Sequence, residues 1–140
     1  MKLSSLMGAL LVATPVAVFA QQQQPPAAPP GFEIPKEMTT YYVALYVRGA
    51  KFMAAVSPEH TALTQRHLQY IRRMIEEHKY VFAGPLLDGG EKQGLAIVAA
   101  PSEAEARKIA EGDPAIVAGH MAIELHPAML PSLASLVVTY

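Results

Sequence analysis

Among the side chains able to move a proton, the one in the least expected place is His67. It lies four residues from Leu63 and four from Ile71, on the stripe that Leu63, Ile71, Met74 and Ile75 trace at helical spacing, so a titratable ring is aimed where a core residue belongs. Asp113 is its candidate partner. A second helical stretch turns Ala106, Ile109 and Ala110 inward, and Asp113 follows on that same face. A carboxylate within reach would fix the tautomer of the imidazole and make it a general base able to take a proton at neutral pH. Both residues also suit plainer work, Asp113 as the N-cap of a helix opening at Pro114 and His67 as a hydrogen-bonded core histidine.

Asp88 is the rival carboxylate. It sits in Leu86-Leu-Asp-Gly-Gly-Glu-Lys-Gln-Gly94, a loop able to fold over the mouth of a pocket, although Asp-Gly is also an ordinary turn signal. The candidate catalytic set is therefore His67, Asp113 and Asp88. For a metal, His120, Glu124 and His126 alternate onto one face of a strand, whereas His60 and His67 stand about 10 Å apart along a helix and cannot share an ion. With no cysteine and no His-x-x-x-His pairing, neither a metal nor another cofactor is expected. No nucleophile elbow, phosphate loop or dinucleotide fingerprint is present.

The elements that must position these residues follow from the local pattern. Thr39 to Val47 is β-branched, aromatic and free of Gly and Pro, which reads as a buried strand with Tyr42, Ala44 and Tyr46 on one face. Arg48 to Val56 is a loop. Ser57-Pro58-Glu59 then opens a long amphipathic helix with a cap hydroxyl, a proline at the first helical position and an acid at the positive end of the dipole. Tyr80 to Ala83 is a second strand, stopped by Gly84-Pro85, and Leu95 to Ala99 a third. Ser102 and Glu105 form a capping box for a helix ending near Ala110, a short helical turn follows Asp113-Pro114, and Gly119 releases the chain into a strand from His120 to His126.

The order strand, helix, strand, strand, helix, strand predicts an α+β fold, a ferredoxin-like βαββαβ sheet with two helices on one face. The opposite face is left apolar and uncovered, so a homodimer formed through the sheet face is expected. Met129 to Tyr140 is an apolar tail, and Pro131 within it argues for an arm separate from the last strand.

The chain has 140 residues, 51% hydrophobic and 16% charged, with a net charge of −1, which suits one small domain with additional apolar sequence. That addition is at the front. Lys2, the apolar run Leu6 to Val18 and the small residues around Ala20 read as a signal peptide over residues 1–20, which places the product in the periplasm or outside the cell. A membrane anchor needs about twenty unbroken apolar residues, and Pro15 interrupts this run. No membrane association is expected after cleavage. Residues 21–37, rich in Gln and Pro, form a linker to the domain at 38–128, with the arm at 129–140. Near-neutral charge and export argue against nucleic acid, leaving a second copy of the chain and a small molecule as partners.

The ordered set Arg66-His67, Gly84-Pro85, Gly94, Ser102-Glu-Ala-Glu-Ala106, Asp113-Pro114, Gly119 and Leu125-His126-Pro127 resembles the YCII-related domain over roughly residues 40 to 128. The resemblance implies a dimeric α/β barrel, related in fold to muconolactone isomerase, with a His and Asp pair proposed at the active site. On this chain the pair corresponds to His67 and Asp113. Ala115 departs from the pattern, since many members have an aromatic residue there. The function expected is an isomerase- or lyase-like proton transfer on a small molecule, with a non-catalytic ligand-binding or assembly module as the alternative.

Overall fold

The apolar, β-branched run after Glu37 forms β1 (Met38–Arg48), the spine of a four-stranded antiparallel sheet in the computed structural model, which describes residues 37–139. The expected leader at 1–20 and the linker as far as residue 36 lie outside the described residues. After β1 come α1 (Pro58–Glu76), β2 (Tyr80–Pro85), β3 (Lys92–Val98), α2 (Glu103–Glu111), α3 (Pro114–Val117) and β4 (Met121–Pro131). The strand order is β2-β3-β1-β4, the ferredoxin-like arrangement that the order of elements predicts.

Register decides which side chains meet the helices. Tyr42, Ala44 and Tyr46 of β1 pair with Val98, Ala96 and Gly94 of β3, and Ala44 and Tyr46 pair on the other side with Leu125 and Ile123 of β4. These residues form one core with Tyr70, Ile71 and Met74 from α1 and with Ala106 and Ala110 from α2, so both helices cover a single face. Full burial of a side chain such as Met74 or Val98 is worth about 2 kcal/mol. The two fully buried residues of α2 are alanines, whose methyl groups let the helix lie close to the sheet, with Ile109 packed beside them. The opposite face keeps Val43, Leu45, Val47 and Leu95 only half-buried.

Local chemistry sets the helix ends where the sequence places them. The Ser57 hydroxyl accepts the His60 amide at 3.1 Å with Pro58 in the first turn, and the Ser102 hydroxyl accepts the Glu105 amide at 3.3 Å. His78 takes a positive φ of 55°, which turns the chain from α1 into β2. Some boundaries differ from expectation: Gly84-Pro85 does not stop β2, which runs through Pro85, and β3 begins at Lys92 and not at Leu95, with Pro85 paired to Gly94. β4 runs past His126 and through Pro127 to Pro131, pairing with β1 as far as Met38, so Pro131 does not separate an arm from the strand. β4 is an edge strand, where a missing amide on the unpaired side breaks no ladder bond.

The loop between β1 and α1 is clamped to the residues ahead of β4. The Gly49 amide donates to the His120 carbonyl at 2.9 Å, the Lys51 amide to the Gly119 carbonyl at 2.8 Å, and the Met53 amide to His120 Nδ1 at 3.0 Å. A β-carbon on Gly49 would collide with the Gly119 carbonyl, so the close approach requires glycine. His120 is buried and stacks on Phe52.

Burial, with smaller contributions from His60 and His67, lowers the pKa of His120 from 6.5. Below pH 6.5 the unfolded chain therefore takes up a proton at this residue before the folded chain does, and stability falls as the pH drops through that window. His120→Asn leaves an acceptor near the Nδ1 position but nothing that titrates. Urea unfolding between pH 7 and pH 5 is expected to show a shallower loss of stability for the variant than for the wild type.

Candidate active site

His67 and Asp113 meet beneath the sheet. His67 is set on the inner stripe of α1 by the burial of Leu63, Tyr70 and Ile71 around it, and Asp113 is set by the turn that ends α2 and begins α3. His67 Nδ1 lies 2.7 Å from Asp113 Oδ2. Asp113 is 0% exposed, whereas the His67 side chain keeps 16% of its surface. The carboxylate divides its two oxygens between the two roles open to it in the sequence. Oδ1 caps α3 by accepting the Ala115 amide at 2.9 Å, and Oδ2 faces the imidazole.

Two tyrosines complete the arrangement. The Tyr46 hydroxyl donates to Asp113 Oδ2 at 3.3 Å, and the Tyr80 hydroxyl lies 3.0 Å from that of Tyr46. Desolvation by burial is the largest cause that raises both phenols above their ordinary range, and Asp113 adds to it in each case. They remain neutral hydroxyl groups. Burial likewise raises Tyr70, whose hydroxyl donates to the Ile109 carbonyl where α2 ends, and a β-carbon on Gly112 would stand 2.7 Å from that hydroxyl.

With Asp113 Oδ2 as acceptor, the proton of a neutral imidazole belongs on Nδ1, and the lone pair of Nε2 is directed away from the pair. Among the described residues no side chain or backbone group bonds Nε2. His67 lines a cleft of about 610 Å³ whose walls include Leu68, Ile71, Pro85 and Met121, with Thr64, Gln69 and Arg72 among the polar side chains. This volume is in the range of small-molecule sites, about 300–1,000 Å³. A second cavity of about 570 Å³, between the end of α1, β2 and the segment Leu133 to Val138, contains neither His67 nor Asp113.

The other candidates fall elsewhere. Asp88 is exposed and accepts the Gly90 amide at 3.1 Å, the ordinary turn role of an Asp-Gly sequence, and it is not part of the cleft wall. The three residues weighed for a metal do not share a face. His120 packs against Phe52 and lies 5.2 Å, ring to ring, from His60, whereas Glu124 and His126 pair across from Leu45 and Val43 on the side away from the helices. Among the described residues no group of three His, Asp or Glu side chains converges. Ala115 is buried behind Asp113 and does not border the cleft.

Tyr46 and Tyr80 are the site residues that sequence reasoning passed over. Strand alternation puts Tyr46 on the same face as Tyr42 and Ala44, and a tyrosine on a helix-covered face needs a partner for its hydroxyl. That requirement was the available signal.

Asp113→Asn tests the tautomer. The amide oxygen can still cap α3, but an NH₂ in place of Oδ2 offers a donor where His67 Nδ1–H needs an acceptor. The variant is expected to fold, with nitrogen chemical shifts of His67 at pH 8 showing the proton moved from Nδ1 to Nε2. Asp113→Ala also removes the cap and should cost a further 1 kcal/mol or so in urea unfolding.

The family model described as the YCII-related domain matches residues 44–125. No curated protein matches the chain. Among solved structures, a similar chain is the 5-chloro-2-hydroxyhydroquinone dehydrochlorinase of Burkholderia phenoliruptrix AC1100 in complex with 2,5-dihydroxybenzoquinone, at 20% identity and a TM-score of 0.46, with 63% of this chain and 91% of that chain covered. The match spans more than half of the sequence and includes β1 from Ala44, both helices that carry the His67 and Asp113 pair, and β4 as far as Leu125, so the chain belongs to the YCII-related domain family.

Proposed function

We propose that the protein is a small-molecule enzyme that moves a proton, with His67 Nε2 as general base and Asp113 as the group that orients it and stabilises the imidazolium formed. The observation that carries this reading is the 2.7 Å contact between His67 and a fully buried carboxylate, at the wall of a cleft where the other imidazole nitrogen has no partner among the described residues. A histidine serving only the core would be closed on both nitrogens or sealed from water.

In the step proposed, Nε2 takes a proton from carbon next to a carbonyl, and the electron pair of that C–H bond passes toward the carbonyl oxygen as an enolate. Returning the proton to a different carbon completes an isomerisation. Expulsion of a leaving group from the neighbouring carbon completes a lyase reaction, with the proton released from His67 to solvent. The apolar part of the wall suits a compact substrate, and Thr64, Gln69 and Arg72 are polar side chains of the wall available to its oxygens, whereas the Gln93 amide already donates to the Gly90 carbonyl.

The same apolar walls favour binding without chemistry as the second reading, and one experiment separates the two. The protein is incubated in D₂O with a panel of small cyclic ketones, lactones and hydroxylated aromatics, and exchange of acidic C–H for C–D is followed by NMR. For at least one compound the protein should accelerate exchange, and His67→Gln should reduce that acceleration by about 10²- to 10⁴-fold. Compounds that raise the melting temperature of both proteins equally, with no exchange, would leave a binding module.

Export and pairing belong to the same proposal. The leader-like start supports secretion to the periplasm or beyond, and the half-buried Val43, Leu45, Val47 and Leu95 support a homodimer formed sheet to sheet. Sedimentation of the mature chain should give a dimer that Leu45→Asp converts to a folded monomer.

A further inference from the structure

We infer that Tyr46, backed by Tyr80, is a positioning residue of the His67 site: its hydroxyl holds the same carboxylate oxygen that holds the imidazole. The inference rests on the proton-transfer reading and deepens it. Oδ2 of Asp113 receives two donors, His67 Nδ1 at 2.7 Å and the Tyr46 hydroxyl at 3.3 Å. The Tyr46 proton is thereby committed to the carboxylate, so in the contact of 3.0 Å between the two phenols Tyr80 is the donor and Tyr46 the acceptor. The protons run in one direction, from Tyr80 to Tyr46 to Asp113, where they meet the proton arriving from His67.

Each member comes from a different element: Tyr80 from β2, Tyr46 from β1, Asp113 from the start of α3 and His67 from α1. Tyr46 and Tyr80 are 3% and 1% exposed, so water does not compete for their hydroxyls. Neither phenol ionises in the range where a histidine works, because burial holds both above their ordinary values. The carboxylate is accordingly supplied with a neutral donor throughout that range, and a hydrogen-bonded chain of this kind fixes its rotation more firmly than a single contact would. Tyr46 also acts on the ring directly. The two rings form a T-shaped pair at an interplanar angle of 78° with centroids 5.5 Å apart, which limits rotation of the imidazole away from Asp113.

Tyr46→Phe keeps the ring and removes only the hydroxyl. The readout is the pair of His67 imidazole ¹⁵N resonances and the Nδ1 proton, recorded on the mature protein with labelled histidine. With Tyr46 gone as a donor, Oδ2 accepts more strongly from His67, and the Nδ1 proton should move downfield. Tyr80→Phe should move it in the same direction by less, since Tyr46 still donates. Tyr42→Phe, a buried tyrosine on the same face of β1 with no part in the chain, should leave it unchanged. Unaltered His67 resonances in a folded Tyr46→Phe protein would overturn the inference, as would an equal displacement by Tyr42→Phe. Should Tyr46→Phe fail to fold, an unaltered spectrum in Tyr80→Phe overturns it instead. The D₂O exchange experiment tests the base itself, so absence of exchange in the wild type would remove the catalytic reading while the nitrogen shifts still report whether Tyr46 acts on the pair.

Discussion

Asp113 is a carboxylate wholly withdrawn from water, and the site depends on the donors that follow it into the interior. Burial of an acceptor of this kind without partners costs several kcal/mol, far more than one hydrogen bond returns. Here the Ala115 amide serves one oxygen while Tyr46 and His67 serve the other. The first of these contacts is local, a helix cap that forms wherever Asp precedes Pro at a helix start. The other two come from across the fold and tie α1 and β1 to the turn before α3. Removal of any one leaves the others to stabilise a group that has no solvent to fall back on.

The ferredoxin-like sheet brings these partners together through its strand order. β1 lies between β3 and β4, so its helix-facing residues run along the middle of the core, and α1 and α2 lie side by side over them. Tyr46, near the end of that row, comes under the point where α1 passes the end of α2. The small residues of α2, Ala106 and Ala110, allow the close approach that brings Asp113 over the sheet. Packing thus selects the geometry, and the hydrogen bonds hold it.

The two faces of the sheet divide structure from exposure. One face is closed by helices and carries the site, while the other presents half-buried aliphatic side chains with Glu124 and His126 among them. His120, two positions before the first of that row's partners, faces instead into the clamp formed with Phe52 and Met53. Alternation along a strand predicts that His120, Glu124 and His126 share a face. The chain enters β4 only at Met121, and Gly119, at a φ of 75°, turns the backbone just ahead of His120, so strand periodicity does not extend to it.

The amino-acid sequence by itself determined the elements and the inward direction of His67 and Asp113, because a period of 3.6 or 2, a cap hydroxyl and a proline act over a few neighbouring residues. It left Asp113 with two roles and Asp88 as a rival, and it gave Tyr46 no role beyond a face of a strand. Only the tertiary structure decided that Asp113 performs both roles, one with each oxygen, and that a phenol joins it. His67 and Asp113 are 46 positions apart and Tyr46 and Asp113 are 67 apart, distances over which no local rule operates. Their meeting is fixed by strand register and by how closely two helices lie on a sheet, quantities that exist only once the chain has folded.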